Sequence, residues 1–323
     1  MSTSNCAPSI LILGGSGFVG RAVCEQLLRE YGGGARLTVP TRRLPHAQAV
    51  QSLPGVTVVQ ADVHRDADLQ GLLPGHDFVI NLVAILQGSE AAFEQVHVAL
   101  PRRLAAACQA AGVRRLIHIS AIGADAAAPS RYLRSKGRGE QALREITSLE
   151  LTLLRPSVIF GREDSFLNLF ARLQALAPLM PLAGASARFQ PVWVEDVARA
   201  VVACVGDRSS IGQTYELAGP AVATLAELVR LAGRVSGHPR PILPLPGPLA
   251  WLQAVAMELL PGVPLMSRDN LASMRVPNVA GGVLPGLETL GITPQSAAAV
   301  LPGYLAPGTG CARLERWRAN ARR

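Results

Sequence analysis

Two side chains four residues apart, Tyr132 and Lys136, are the pair in this 323-residue chain best suited to moving a proton. Positions i and i+4 share one face of a helix, so both can point into a single cleft. A lysine cation beside a phenol lowers the phenol pKa, which lets it exchange a proton with a carbonyl or an alcohol near neutral pH. Of the 31 Lys and Arg residues 30 are Arg, so basic positions default to Arg and position 136 stands out as one that demands an ammonium. The spacing Y-x-x-x-K also arises by accident on solvated helices, and its weight here comes from its place after a fifth predicted strand.

A second signal is Gly14-Gly15-Ser16-Gly17-Phe18-Val19-Gly20, where an apolar strand from Ile10 runs into glycines spaced G-x-x-G-x-x-G. A strand that turns sharply into a helix with its backbone against a pyrophosphate needs residues without a Cβ, and the amides of the first helical turn then face the phosphate charge. Phe18, Val19, Ala22, Val23 and Leu27 follow with a helical period. The stretch reads as a dinucleotide cradle, against the bland alternative of a βα turn. In that setting Lys136 can also donate to the ribose hydroxyls of a nicotinamide nucleotide.

Arg42 and Arg43 follow a second predicted strand over 35–40, where such a fold meets the adenosine ribose. An NAD site usually places an Asp or Glu there to accept from the 2′-hydroxyl. Two guanidiniums suit a 2′-phosphate instead, so NADP(H) is the preferred cofactor and NAD(H) the alternative, with a solvated loop as the bland reading.

Positioning these groups takes an alternation of strands and helices. Strands are expected over 56–60, 77–84, 115–120, 151–159 and 214–218, with helices after the glycine turn, over 64–73, over 93–111 and from the Tyr132 segment through 144. That order implies an α/β fold, a Rossmann-type doubly wound parallel sheet, with a smaller and mostly helical C-terminal domain. Asp62, with Val63 beside it, is placed to meet the adenine edge, and the exit of the fourth strand, Leu82, Val83 and Ala84, lies beside the cofactor. Pro101 removes one backbone bond from the 93–111 helix and predicts a kink. One further helix begins near 162 outside the sheet, and another begins at 192. Pro and Gly break the chain repeatedly from 237 to 310. The expected division is 1–160 with 187–220 for the dinucleotide, and 161–186 with 221–323 for substrate or partner.

The 49% hydrophobic content allows a large core and argues against disorder. No signal pattern opens the chain and no apolar run reaches the ~20 residues of a membrane helix, so the expected location is cytoplasmic, with a peripheral position at the inner face of a membrane as a variant. Cys6, Cys24, Cys108, Cys204 and Cys311 show no metal or redox spacing, and neither a disulfide framework nor a metal site is expected. The net charge of +8 is spread over scattered arginines without a nucleic-acid motif. Residues 241–267 carry a single charge, Glu258, among Leu249, Trp251, Leu252 and other apolar residues. Such a run is either buried under loops of its own domain or offered to a partner or a bilayer interface. The basic tail over 313–323 reads as a frayed end or as a contact for anionic headgroups or an acidic partner.

Taken together, the Gly14–Gly20 segment, Arg42, Asp62, His118-Ile-Ser120, Tyr132 with Lys136, and Arg155-Pro-Ser-Val-Ile-Phe-Gly161 resemble the extended and atypical short-chain dehydrogenase/reductase superfamily. Ser130 through Lys136, Ile159 through Asp164, Phe166 through Phe170, Pro101, Pro264 through Asp269 and Leu290-Gly-Ile292 make the chain look, more narrowly, like the nucleotide-binding accessory subunits of respiratory complex I, alpha-subcomplex subunit nine, and their bacterial relatives. The resemblance spans nearly the whole chain. It implies NADP(H) against Gly14, Gly15, Ser16, Gly17, Phe18, Val19, Gly20, Arg42, Arg43, Asp62, Val63, Leu82, Val83, Ala84, Lys136 and Pro156. It further implies Tyr132 as acid/base, Lys136 as ribose anchor and Ser120 as the hydroxyl on the substrate carbonyl. Active members commonly carry that hydroxyl two residues beyond the strand-end serine, where this chain has Ile122, and many carry an Asn holding a proton-relay water where this chain has His97. Two readings follow: a binding protein that keeps the dinucleotide as a structural or slowly reacting element and docks through residues 241–267 to a respiratory or membrane-associated complex, or an NADP(H)-dependent oxidoreductase or epimerase acting on a carbonyl or alcohol.

Overall fold

The computed structural model describes residues 8–32, 34–262 and 264–307; Cys6, Cys311 and the 313–323 tail lie outside them. Its chain opens with β1 (Ser9–Leu13), α1 (Phe18–Glu30), β2 (Arg36–Thr41), the short α2 (Gln48–Gln51), β3 (Val56–Gln60), α3 (Asp66–Leu72) and β4 (Phe78–Asn81). Next come α4 (Glu90–Glu94), a π-helical turn (Gln95–Ala99), α5 (Leu100–Ala111), β5 (Arg115–Ile119), α6 (Arg131–Arg144) and β6 (Glu150–Pro156). With β11 (Thr214–Leu217), six of these strands form a seven-stranded sheet in the order β11-β6-β5-β4-β1-β2-β3, every neighbouring pair parallel. The expected Rossmann-type α/β architecture is therefore the one observed.

Helices cover both faces of a parallel sheet, so its central strands read as continuous apolar runs. All five residues of β1 are buried. Leu11, Leu13, Val79, Leu116, Leu151 and Leu153 point to one face, where they pack with Leu69 and Leu72 of α3, Leu104 of α5 and Leu143 of α6. The alternate residues Ile10, Ile12, Ile80 and Ile117 are fully buried too. The strand order reverses at β1, which lies between β2 and β4, and ligands of doubly wound sheets bind at that switch point, beyond the carboxyl ends of the strands.

Contacts divide the chain into two compact units. One comprises the described residues through Pro156 with Glu195–Leu217 and Gly282–Ile292; the other comprises Ser157–Val194, Ala218–Gly281 and the described residues from Thr293. In the second unit β7 (Ile159–Phe160), α7 (Leu167–Leu176), β8 (Met180–Leu182), β9 (Arg188–Phe189) and β10 (Val192–Trp193) precede α8 (Val194–Gly206), whose length from Glu195 onward belongs to the first. It continues with β12 (Ala223–Thr224), α9 (Leu225–Ser236), β13 (Ile242–Pro244), α10 (Gly247–Glu258) and α11 (Arg268–Ser273). Phe170, Met180, Leu182, Leu225 and Val229 form one of its cores. Thr224 and Glu227 close a capping box at the start of α9.

Several elements differ from the sequence expectation. The strand expected over 151–159 divides at Pro156, because Val158 N donates to Asn278 Oδ1 at 2.7 Å and Ser157 Oγ donates to the same oxygen. The helix expected near 162 starts five residues later, since the Asp164 carboxylate captures the N–H groups of Gly161, Phe166 and Asn168 in a loop. The run over 241–267, for which no element was expected, contains the twelve-residue α10, whose Pro248 falls in the first turn where a missing N–H costs nothing. Among the described residues no helix is long and apolar enough to cross a membrane.

The kink expected at Pro101 takes the form of the π-turn. In an α-helix the Pro101 ring would press on the carbonyl of His97, four residues earlier, and that carbonyl would lack its donor. The wider turn over Gln95–Ala99 lets the helix continue into α5. On α6, Gly139 faces this carbonyl so closely that a Cβ there would overlap the His97 oxygen. Two glycines inside α6, Gly137 and Gly139, each cost roughly 1 kcal/mol of helix propensity. Both are required by close approach, Gly137 because its Cβ would lie 2.5 Å from the Asp125 carbonyl carbon.

Candidate functional site

The sheet ends at Leu13 and the chain reverses at Gly14, whose φ of +82° is the left-handed conformation a glycine adopts without strain. Gly15 N donates to Ile12 O at 3.2 Å and Gly17 N to Gly14 O at 3.0 Å. A Cβ on Gly15 would lie 2.8 Å from Val39 Cγ2, and one on Gly20 would overlap the Gly14 carbonyl oxygen. Helix α1 therefore begins directly on the turn. Its first turn holds no acidic residue and its N-cap, Gly17, supplies no side-chain bond, so the positive end of the helix is left for an anion.

Beside the turn lies a cleft of about 540 Å³. Gly14, Ser16, Arg42, Arg43, Val63 and Val83, all expected from the sequence, line it together with Pro40, Thr41, Ala61, His46 and His64, which were not. Both arginines are exposed. Asp62 lies between the lining residues Ala61 and Val63 but does not itself line the cleft: its carboxylate accepts from His64 N at 3.1 Å, while its own N–H donates to Asp68 Oδ2 at 2.9 Å. His64 and Thr41 flank the two signals that the sequence did show, and spacing alone gave neither a role.

The segment after β4 is held from three sides. Leu82 N donates to Leu13 O at 2.9 Å, Val83 N donates to Asn81 Oδ1 at 3.1 Å, and Ile85 N donates to His97 Nε2 at 3.1 Å. Asn81 in turn donates through Nδ2 to His118 Nδ1 at 3.1 Å, which ties the ends of β4 and β5. Pro156 ends β6, where its carbonyl accepts from Ile122 N at 3.0 Å.

Ser130 caps α6 by accepting from Leu133 N at 3.1 Å, which starts the helix so that Tyr132 and Lys136 fall on its inner side. Tyr132 packs edge-on against Phe93 and His97, with centroids 6.2 and 5.6 Å away. Lys136 is 2% exposed, and its Nζ donates to Ile119 O at 3.0 Å. Burial lowers its pKa to about 8, opposed by the nearby Glu140 carboxylate. Glu140 is itself held by a two-point pair with Arg155, at 2.9 and 2.6 Å. The expected lowering of the Tyr132 phenol is not found: burial pushes it up to about 12, and it stays protonated at neutral pH. His97 and His118 are driven the other way, to about 2 and about 3, by burial and by the Lys136 charge. Ser120 is 4% exposed, and its hydroxyl is buried with no hydrogen-bond partner among the described residues.

A family model described as NAD(P)H-binding matches residues 14–208. The chain belongs to the NAD(P)H-binding family. It is 33% identical over 293 residues to the mitochondrial NADH dehydrogenase (ubiquinone) 1 alpha subcomplex subunit 9 of Mus musculus, covering 88% of this chain and 76% of that protein. The narrower resemblance read from the sequence thus holds. A protein named ceramide reductase from Caulobacter vibrioides is 30% identical over 243 residues, covering 74% of each chain. The solved epimerase Mth375 of Methanothermobacter thermautotrophicus shares the fold, with a TM-score of 0.72 at 16% identity over 98% of this chain and 95% of that one.

A dinucleotide fits the residues of this family member. Glycines stand where any Cβ would close the backbone cradle, guanidiniums flank the cleft, and the Ser120 hydroxyl is a buried polar group that lacks a partner. Lys136 supplies a stability signature of the site. Below pH 8 folded and unfolded chains both hold its proton and the burial penalty acts in full. Between about 8 and 10 the folded chain releases the proton first, so the unfolded state binds more protons and unfolding free energy rises with pH. Urea unfolding at pH 7.5 and 9.5 should therefore move the stability difference between the wild type and Lys136→Met by ~1–2 kcal/mol in favour of the wild type at the higher pH. A pH-independent difference would mean that the ammonium is solvated.

Proposed function

We propose that the cleft holds NADP(H), with the Gly14–Gly20 backbone on the pyrophosphate and Arg42 and Arg43 on the 2′-phosphate. Asp62 and Val63 lie along the adenosine half, Leu82, Val83, Ala84 and Pro156 along the nicotinamide half, and Lys136 on the ribose. The observation that carries this reading is the pair of exposed guanidiniums on a cleft that, among the described residues, is lined by no carboxylate. In this reading 1–160 with 187–220 serves the dinucleotide, and 161–186 with 221–323 serves a substrate or partner.

The cofactor is held as a structural or slowly reacting group in a protein that docks to a membrane-associated respiratory assembly. Support comes from the similarity to the mouse protein named as an alpha subcomplex subunit and from α10. That helix buries only Ala250 and Ala254, while Leu249, Trp251 and Leu252 are each more than half exposed. Apolar exposure of this kind marks an interaction surface.

A second reading is favoured by Tyr132 beside Lys136 and by the similarity to a protein named as a reductase. When bound, NADP(H) supplies hydride chemistry at the nicotinamide ring. Tyr132, protonated at neutral pH, holds the proton that a carbonyl oxygen would take, and Ser120 offers a free hydroxyl to that oxygen. Lys136 keeps a positive charge near the phenol as the proton leaves.

Three measurements test these readings. Replacing Arg42 and Arg43 together by Ala should weaken NADPH binding about 10- to 100-fold and leave NADH within about threefold, and equal losses for both would remove the 2′-phosphate assignment. Protein purified without added nucleotide should release NADPH on denaturation, and its 340 nm absorbance should persist with mixed carbonyl substrates if the cofactor is structural. Decay of that absorbance, lost in Tyr132→Phe at unchanged cofactor affinity, would establish the reductase reading. For docking, Trp251→Glu with Leu252→Glu should move the chain from the membrane fraction of its host to the supernatant, and an unchanged distribution would rule out α10 as the surface.

A further inference from the structure

His97 is one of the most buried polar residues of the chain, and both of its ring nitrogens are engaged. Ile85 N is an obligatory backbone donor, so Nε2, at 3.1 Å from it, carries a lone pair. The proton of a neutral imidazole is then on Nδ1, which lies 2.8 Å from Ser135 Oγ. Ser135 donates its own hydroxyl hydrogen bond to the Tyr132 carbonyl at 2.8 Å. Each donor meets one acceptor, and a second proton on the ring would break the bond to Ile85.

We infer that His97 is a positioning residue, a neutral imidazole clamp that fixes the segment after β4 to the helix bearing Tyr132 and Lys136, and that it relays no proton. Four features build the clamp. The π-turn swings the ring toward α6, Pro101 frees the carbonyl behind it, Gly139 lets α6 come up to that carbonyl, and Phe93 and Tyr132 pack on the ring at 5.5 and 5.6 Å. Burial and the charged or titratable groups of the surrounding elements oppose a charged ring: Lys136 faces it from α6 and His118 from β5, while Tyr132 packs on it as a neutral ring. Neither loop nor helix alone fixes the distance between the cofactor-facing backbone and the phenol. The clamp does so through one bond to each.

The consequence for ligand binding rests on the NADP(H) reading, whereas the clamp itself does not, and the test separates them. Nucleotide-free protein carrying ¹⁵N-histidine should show one imidazole locked as the Nδ1–H tautomer from pH 5.5 to 8.5, assigned to His97 by its loss in His97→Gln. An Nε2–H tautomer at His97, or titration of that ring within the range, overturns the inference whether or not nucleotide binds. His97→Gln places an amide oxygen where Nε2 was and can still accept from Ile85, whereas His97→Asn reaches only toward Ser135. Because each variant keeps one of the two bonds, NADPH affinity should fall about threefold in His97→Gln and about tenfold in His97→Asn, where the buried Ile85 N–H also loses its acceptor. Wild-type affinity in His97→Asn would overturn the clamp. Absence of NADPH binding in the wild type would instead overturn the cofactor reading and leave the clamp to the tautomer measurement.

Discussion

The rest of the site depends on one steric constraint, the approach of α1 to the turn that precedes it. Gly20 lies against the carbonyl of Gly14, and Gly15 against the side chain of Val39, so tightly that neither tolerates a Cβ. This brings the start of α1 onto the end of β1, at the place where the strand order reverses. A side chain at Gly20 would lift the helix and separate its amides from the cleft, and one at Gly15 would push the turn away from β2. The arginines at the end of β2 and the segment after β4 matter because they flank that point. Their value as ligand groups is borrowed from the glycines.

The features legible in the sequence were those set by local rules. Central strands were found because a sheet covered on both faces buries every residue of β1 and reads as an unbroken apolar run. The glycine turn was found because it closes an apolar strand and opens a helical run, and α6 because Tyr132 and Lys136 stand four residues apart on one helical face. Boundaries failed where a distant side chain intervened. Asn278 intercepts the backbone after Pro156 from more than a hundred residues away, and no periodicity in 151–159 could announce it. Asp164 gathers three N–H groups into a loop whose residues look helical in isolation.

Charge states were the least legible part. Proximity of Lys136 to Tyr132 suggested an acidified phenol, because the sequence gives spacing and no dielectric. Burial reverses the conclusion: removing the phenol from water disfavours the phenolate more than a neighbouring cation favours it. His97 is a similar case. The resemblance marked it only as a departure from the Asn of many members, whereas its role follows from the π-turn, which depends on Pro101 and on the approach of Gly139, more than forty residues further along the chain.

The single lysine now has a physical reason. A buried arginine cannot shed its proton, whereas a lysine can adjust its charge to its surroundings. Glu140 is the acid closest in sequence on that face, yet Arg155 occupies both of its oxygens, so it offsets only part of the burial cost and the ammonium remains undercompensated. Ile119 offers a carbonyl, which solvates the ammonium without neutralising it. A site assembled only for stability would have placed an apolar residue there, since replacing a buried charge by a hydrophobe is often neutral or favourable. Retaining a buried cation that is short of a counter-charge makes sense if an electron-rich group completes it. On the proposed reading, that group is the ribose of the dinucleotide, whose hydroxyls would accept from the ammonium and offset part of its burial cost.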